Sequence, residues 1–243
     1  MLTENCQLSL RYLPQVEKWC QTFAIFIPDS KRGADAMEYY ERVRAYFHKM
    51  LDEHKDIVEF VHNADDIKRI TAAKKCAAVL SVEGAAVLGG KLENIEKLAR
   101  DGVKMMTLTW NFKNGLAEPN IVPGTDDMWP RPANTTGGLT EKDLEFVEEM
   151  QRLHMLVDVS HLSDAGIWDI LRVAKRPFVA SHSTRAPAAP CAQPDGRDAD
   201  RHGRKGLPDW PELLRFLPGY KPRPQPGQEP HHRYGPPRPL YYG

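Results

Sequence analysis

Three residues of this chain have the type and the spacing to hold a metal ion: Glu83, His161 and His182. Each stands at the C-terminal edge of a short apolar run. Glu83 follows Val79, Leu80 and Val82, His161 follows Leu156, Val157 and Val159, and His182 follows Phe178, Val179 and Ala180. Imidazole nitrogen and carboxylate oxygen are donors that zinc and similar metals accept. Neighbouring parallel strands finish on one side of a sheet, so residues at their ends converge at one depth. A carboxylate can also bridge two ions ~3.5–4 Å apart that activate a shared water. Glu83, His161 and His182 are therefore the candidate metal ligands, with Glu83 the candidate catalytic carboxylate.

Other residues near these ends carry two readings each. Trp110 closes a predicted strand over 103–110 and is either a core aromatic or a wall of a substrate pocket. Asn111 either bonds substrate or starts the turn. Asp158 lies between Val157 and Val159. It is a buried polar group in need of a partner, orienting a ligand or serving structure alone. Ser160 and Ser181 each precede a histidine, but neither sits in a nucleophile-elbow pattern. Gly84, Gly89 and Gly90 form no phosphate-binding loop. His48, His54 and His62 fall on a charged helical stretch and are expected in solvent. His154 is expected at a helix end, and His202, His231 and His232 in a tail.

The elements that must position the candidates follow from periodicity. Strands are predicted over 22–27, 77–83, 103–110, 156–160 and 178–181. A helix over 35–62 carries Met37, Tyr40, Val43, Phe47, Met50 and Leu51 at three- and four-residue steps, with a break near Lys55, and apolar residues resume at Ile57. Asn63 caps a second helix that runs to about Lys75. A third spans 92–100, with Gly102 near C′. Thr140 and Asp143 form a near-capping box for a helix to His154. Ser163 and Asp164 cap the next. Residues 111–138 form a long polar loop, of the length that is often functional. Alternating strands and helices imply parallel strands with right-handed crossovers. The fold class is α/β, an open sheet or part of a barrel.

The 243 residues suffice for one large α/β domain or two small ones, and the formal net charge of zero gives no electrostatic case for nucleic acid or an anionic membrane. No stretch approaches the ~20 apolar residues of a membrane span. Cys6, Cys20, Cys76 and Cys191 are scattered and read as free thiols of a reducing compartment. The start lacks the features of a signal peptide, and the expected location is cytoplasmic.

Five motifs, in order, resemble the membrane dipeptidase (renal dipeptidase) family of zinc metallopeptidases. They are Ser81-Val82-Glu83-Gly84, Met106 through Asn111, Gly137-Gly138-Leu139-Thr140, Met155 through Ser163, and Ala180-Ser181-His182-Ser183. The resemblance covers roughly residues 5–186. It implies a (β/α)8 TIM-type barrel, here partial with about five or six strand–helix units, two zinc ions and a dipeptide substrate. A homodimer is the assembly it allows. It also implies that Glu83 bridges the ions while His161 and His182 hold the second, with Trp110 where well-known members carry a substrate-contacting histidine. The His-x-Asp pair that ligates the first ion in the family has no counterpart before Phe23, and the later acidic catalytic residue has none either. The expectation is a chain truncated at its start that binds at most one ion tightly and cleaves dipeptides poorly or not at all.

Residues 1–186 are thus expected to be an incomplete metallo-dipeptidase barrel and 187–243 a Pro/Arg/Gly-rich tail. From Pro187 onward the tail holds most of the chain's 20 prolines. Its composition is that of disorder. A shifted reading frame is the preferred account, because codons for 193–196 and 212–215 can be chosen that, one base later, encode the Asn-Leu-Thr and Asn-Phe-Tyr segments of the family. The alternatives are a non-catalytic barrel remnant with a proline-rich interaction tail, or another metal-dependent amidohydrolase.

Overall fold

The computed structural model describes residues 9–122, 124–125 and 132–182. The tail at 187–243, Cys6, Cys191, and the histidines at 202, 231 and 232 lie outside the described residues. A 3-10 turn over Leu10–Gln15 leads into β1 (Trp19–Phe26), followed by α1 (Gly33–Glu53), β2 (Val58–Phe60), α2 (Ala64–Ala72) and β3 (Cys76–Glu83). Then come a 3-10 turn over Ala85–Leu88, α3 (Glu93–Arg100), β4 (Val103–Thr107), α4 (Glu141–Arg152), β5 (Leu156–Asp158) and α5 (Asp164–Val173). The strands make one parallel sheet in the order β1-β3-β4-β5, with β2 also paired to β3.

β3 is the centre of this sheet because its sequence is apolar on both faces. Cys76, Ala77, Ala78, Leu80 and Val82 are all buried, as befits a parallel strand covered on both sides. The helices bury one stripe each. In α1 the stripe is Ala36, Tyr40, Phe47 and Leu51, and in α4 it is Leu144, Val147, Met150 and Gln151. Tyr40 is fully buried, and its hydroxyl donates to Asp101 Oδ2 at 3.1 Å just past α3. Burial, then the Asp101 carboxylate, holds the phenol far above its usual titration range.

Local signals for the helix starts are met by geometry. Asn63 Oδ1 accepts from the backbone N–H of Asp65 and Asp66 while Asp66 reaches back to the Asn63 N–H, a full capping box. Thr140 and Asp143 do the same at α4, and Ser163 Oγ accepts from Gly166 N at α5. Gly102 has φ +91 at the C′ position after α3, a conformation that favours glycine.

Several expectations need correction. The apolar run from Ile57 to Val61 is not a continuation of the helix. α1 ends at Glu53, and Val58–Phe60 forms β2 beside the start of β3, with Val58 level with Cys76. Only three residues pair there, too few to set a helical period against a strand. β4 stops at Thr107, not at residue 110, because side chains capture the next backbone groups. Asn114 Nδ2 donates to Leu108 O at 2.7 Å and Thr109 Oγ1 to Phe112 O at 2.9 Å, the local competition that ends regular structure. β5 stops at Asp158, whose carboxylate takes the N–H of Ser160. The expected last strand is a single parallel bridge between Asp158 and Val179, with Val179 N donating to Val157 O and Val159 N to Val179 O.

Among the described residues, no helix is long and apolar enough to cross a membrane. Cys20 and Cys76 are free thiols, Cys20 exposed and Cys76 buried. Of the histidines expected in solvent, His62 is exposed, while His48 and His54 are less solvated than expected. His48 is half-buried and packs edge-on against Phe60 at 5.4 Å between ring centroids, and His62 meets the same ring at 4.9 Å. Burial, followed by the Arg44 charge, pushes the His48 imidazole down from its ordinary value.

Candidate metal centre

Glu83 is the last residue of β3, in register with Phe26 of β1 and Thr107 of β4. His161 lies three residues beyond β5 with φ +66. A non-glycine residue there is strained by ~1–3 kcal/mol, and such strain clusters at functional sites. The turn is held by the long loop. Asn120 N donates to His161 O at 2.7 Å, Ser163 N donates to Glu118 O at 3.1 Å, and Pro119 pairs with Leu162 as an isolated antiparallel bridge. Asn134, itself buried, anchors that loop by donating from Nδ2 to Pro119 O and from its backbone N to Asn120 O. The described residues between 111 and 138 thus make bonds among themselves and reach the site. His182 follows the Val179 bridge, and its N–H donates to Ser160 Oγ at 3.2 Å.

The three side chains meet. His161 Nε2 is 3.4 Å and His182 Nε2 3.8 Å from Glu83 Oε1, and the two Nε2 atoms are 2.7 Å apart. One ligand atom from each residue falls within 4.8 Å of the others, an arrangement that could hold a metal ion. Glu83 and His161 are largely shielded, with side chains 21% and 24% exposed, while His182 is 48% exposed. Two donors on a tetrahedral ion with bonds of ~2.0–2.1 Å lie about 3.4 Å apart, so the two glutamate distances suit an ion and the histidine pair opens by about 0.7 Å to admit one. Two imidazoles and a carboxylate are a donor set that catalytic zinc sites use. The residues present fit the metal.

Asp158 is 1% exposed and is not left without partners. Its Oδ1 accepts the backbone N–H of Ser160 at 3.1 Å and of Ser181 at 3.0 Å, the residues immediately before the two histidines. Its Oδ2 accepts the hydroxyls of Thr107, at 3.0 Å, and of Ser181. Burial pushes this carboxyl up, but the Ser181 hydroxyl and the N–H groups of Ser181 and Ser160 outweigh it, and the group is held below the usual carboxylate range. Ser181 Oγ is also 2.7 Å from His182 Nδ1. Sequence reasoning weighed the two serines only as nucleophiles. The available signal was the repeated Ser-His dipeptide beside an aspartate that required partners.

Trp110 lies in the bend beyond β4, three residues past the strand end rather than on it. Its ring meets Phe26 edge-on at 4.9 Å and lies 6.2 Å from the His161 ring. It therefore borders the triad from the β1 side. Asn111 is half-buried in the same bend and makes no hydrogen bond to the triad.

The chain has relatives among known proteins. The chain is similar to a dipeptidase, tcpJ, of Claviceps purpurea (strain 20.1), at 32% identity over 142 residues, 58% of this chain and 31% of the relative. It is also similar to an uncharacterized protein from the pqqA 5′ region of Klebsiella pneumoniae, at 30% identity over 132 residues, 54% of this chain and 46% of the relative. The chain thus spans less than half the length of these relatives. Among solved structures it resembles a metallo peptidase from Rhodobacter sphaeroides, liganded with a phosphinate mimic of the dipeptide L-Ala-D-Ala, with TM-score 0.64 at 18% identity, covering 74% of this chain and 57% of that one. It also resembles the dipeptidase AC, with TM-score 0.63 at 21% identity, covering 72% and 53%. These structural likenesses establish the fold, parallel strand–helix units of the (β/α)8 barrel type, of which this chain carries part. The model of the membrane dipeptidase family (peptidase family M19) matches residues 3–194. That match spans most of the chain and includes all three triad residues, so the chain belongs to the membrane dipeptidase family.

Proposed function

We propose that Glu83, His161 and His182 hold one metal ion, zinc by the nature of the donors, and that the chemistry of this site is hydrolysis of a dipeptide. The convergence of those three ligand atoms within 4.8 Å carries the reading. A zinc ion in such a site supplies Lewis-acid polarisation of a carbonyl and an acidified water.

The chain's own residues would do the following. Glu83 and His161, being the more shielded ligands, anchor the ion, while His182 stands at the open side where substrate enters. Trp110 and Phe26 give a dipeptide an apolar wall next to His161, the kind of lining that small-molecule sites use. Asn111, in the same bend, is the polar group offered to the peptide. As the metal-bridging residue implied by the resemblance, Glu83 would need a second set of ligands. The described residues bring together one three-ligand set, and slow turnover follows. Residues 1–186 are read as the barrel part and 187–243 as a separate tail.

The test is cleavage of a dipeptide panel, followed by chromatography, with zinc added or chelated. Slow, zinc-dependent cleavage that disappears in Glu83→Gln is expected. Cleavage indifferent to zinc or to Glu83→Gln would contradict the proposal, and rapid turnover would contradict its single-ion form.

A further inference from the structure

Each histidine of the triad is preceded by a serine, and both serines bond Asp158, yet only one histidine is tied to that carboxylate through its ring. From this geometry we infer that Asp158, acting through the Ser181 hydroxyl, fixes His182 as the tautomer protonated at Nδ1, so that its Nε2 lone pair is presented to the ion before any ion arrives. The inference rests on the metal-site reading above and assigns Asp158 and Ser181 as positioning residues for it.

The argument is a count of protons. Asp158 Oδ1 faces two backbone N–H groups, from Ser160 and Ser181, which can only donate. Its Oδ2 faces the hydroxyls of Thr107 and Ser181. With four donors around it the carboxylate is purely an acceptor. Ser181 has a single hydroxyl proton, and that proton goes to Oδ2. What Ser181 Oγ has left is lone pairs, and one faces His182 Nδ1 at 2.7 Å. Two lone pairs do not approach to that distance, so Nδ1 carries the proton and donates it to Ser181. Neutral imidazole has only one N–H, and Nε2 is therefore bare. The remaining contacts agree. Ser160 Oγ accepts the His182 backbone N–H and lies 3.4 Å from Ser181 Oγ, to which its own proton can point. The opposite assignment, with Ser181 donating to Nδ1, would set a serine lone pair against a carboxylate lone pair at hydrogen-bonding distance.

The two histidines are thus not equivalent. His161 Nδ1 makes no hydrogen bond among the described residues, so no group on the far side of its ring holds it in the metal-binding tautomer. Without an ion, it is His161 that supplies the proton between the two Nε2 atoms, 2.7 Å apart. A second group that holds a ligand's ring by its other nitrogen raises ligand basicity and fixes its direction. Here the group is a hydroxyl that relays a buried carboxylate.

The experiment uses the full chain, metal-free, at a pH about 1.5 units above the imidazole range. Long-range proton–nitrogen NMR reads the tautomer, with the His182 signals assigned by their loss in His182→Ala. Wild type and Ser181→Thr, which keeps the hydroxyl, should show Nδ1–H at His182. Ser181→Ala should lose that preference. Asp158→Asn should reverse it, because the carboxamide donates to Ser181 Oγ and turns the serine proton toward Nδ1. Ser181 is exposed, so Ser181→Ala keeps the fold. Zinc affinity should fall by about 10- to 100-fold in Ser181→Ala, the usual effect of removing such a partner, and recover in Ser181→Thr. Protonation at Nε2 in the wild-type chain overturns the inference, as does a tautomer and zinc affinity unmoved by Ser181→Ala. If wild type binds no zinc, the metal reading fails, and the spectrum alone still decides the tautomer.

Discussion

Replacing Asp158 by alanine removes the acceptor that joins the end of β5 to both histidine-bearing segments. The Ser160 N–H sits in a residue only 1% exposed, so it is stranded at a cost of about 1–3 kcal/mol. The Ser181 N–H lies at an exposed residue and can turn to water, whereas the Thr107 hydroxyl, in a residue 3% exposed, also loses its acceptor. The loss of charge-assisted bonds brings the expected total to about 2–4 kcal/mol. That is a large part of a domain's ~5–15 kcal/mol. With a urea slope of ~1–3 kcal/mol per molar, the unfolding midpoint should fall by roughly 1–2 M. The pH dependence has a definite sign. The folded-state pKa of Asp158 is lowered, so its contribution is full above the unfolded carboxylate value of ~3.9 and is lost as pH falls through the folded value. The stability gap between wild type and Asp158→Asn should therefore be constant from neutral pH to about 5 and shrink only in stronger acid. An Asp158→Ala midpoint indistinguishable from wild type, or a gap that widens on acidification, would refute this reasoning.

Three further outcomes are expected. Gly102→Ala combines φ +91 with a Cβ 2.6 Å from the Phe60 ring, and should cost about 2–5 kcal/mol in urea unfolding, part of it recovered by adding Phe60→Leu. Asn63→Ala removes the cap that accepts from Asp65 N and Asp66 N, and should cost about 0.5–2 kcal/mol by the same measurement. Trp110→Ala should leave zinc affinity within about two-fold, because Trp110 is no ligand, while calorimetry of the zinc-loaded chain shows dipeptide binding weakened by about ten-fold or ~1.4 kcal/mol.

What the amino-acid order reveals here is local chemistry. The caps at Asn63, Thr140 and Ser163 depend on residues within three positions, and each was readable. Glu83, His161 and His182 were readable because each follows an apolar run, and a parallel arrangement brings such ends together. The hidden features depend on partners far away in sequence. β2 exists because Val58 to Phe60 finds the start of β3, not because three residues carry a period. The left-handed turn at His161 is held by Glu118 and Asn120 from a loop whose length suggested a function but whose sequence did not say which residues it would hold. The links from Asp158 to Thr107 and Ser181 span 51 and 23 positions. A buried aspartate announces that it needs partners, but only the fold says which.

The central claim is that Glu83, His161 and His182 form one metal site, and zinc titration of the full chain with calorimetric readout tests it most directly. A single tight equivalent for wild type is predicted, lost separately in Glu83→Gln, His161→Ala and His182→Ala while each variant keeps its circular dichroism spectrum. Absence of tight binding in wild type, or binding that survives all three substitutions, would contradict it.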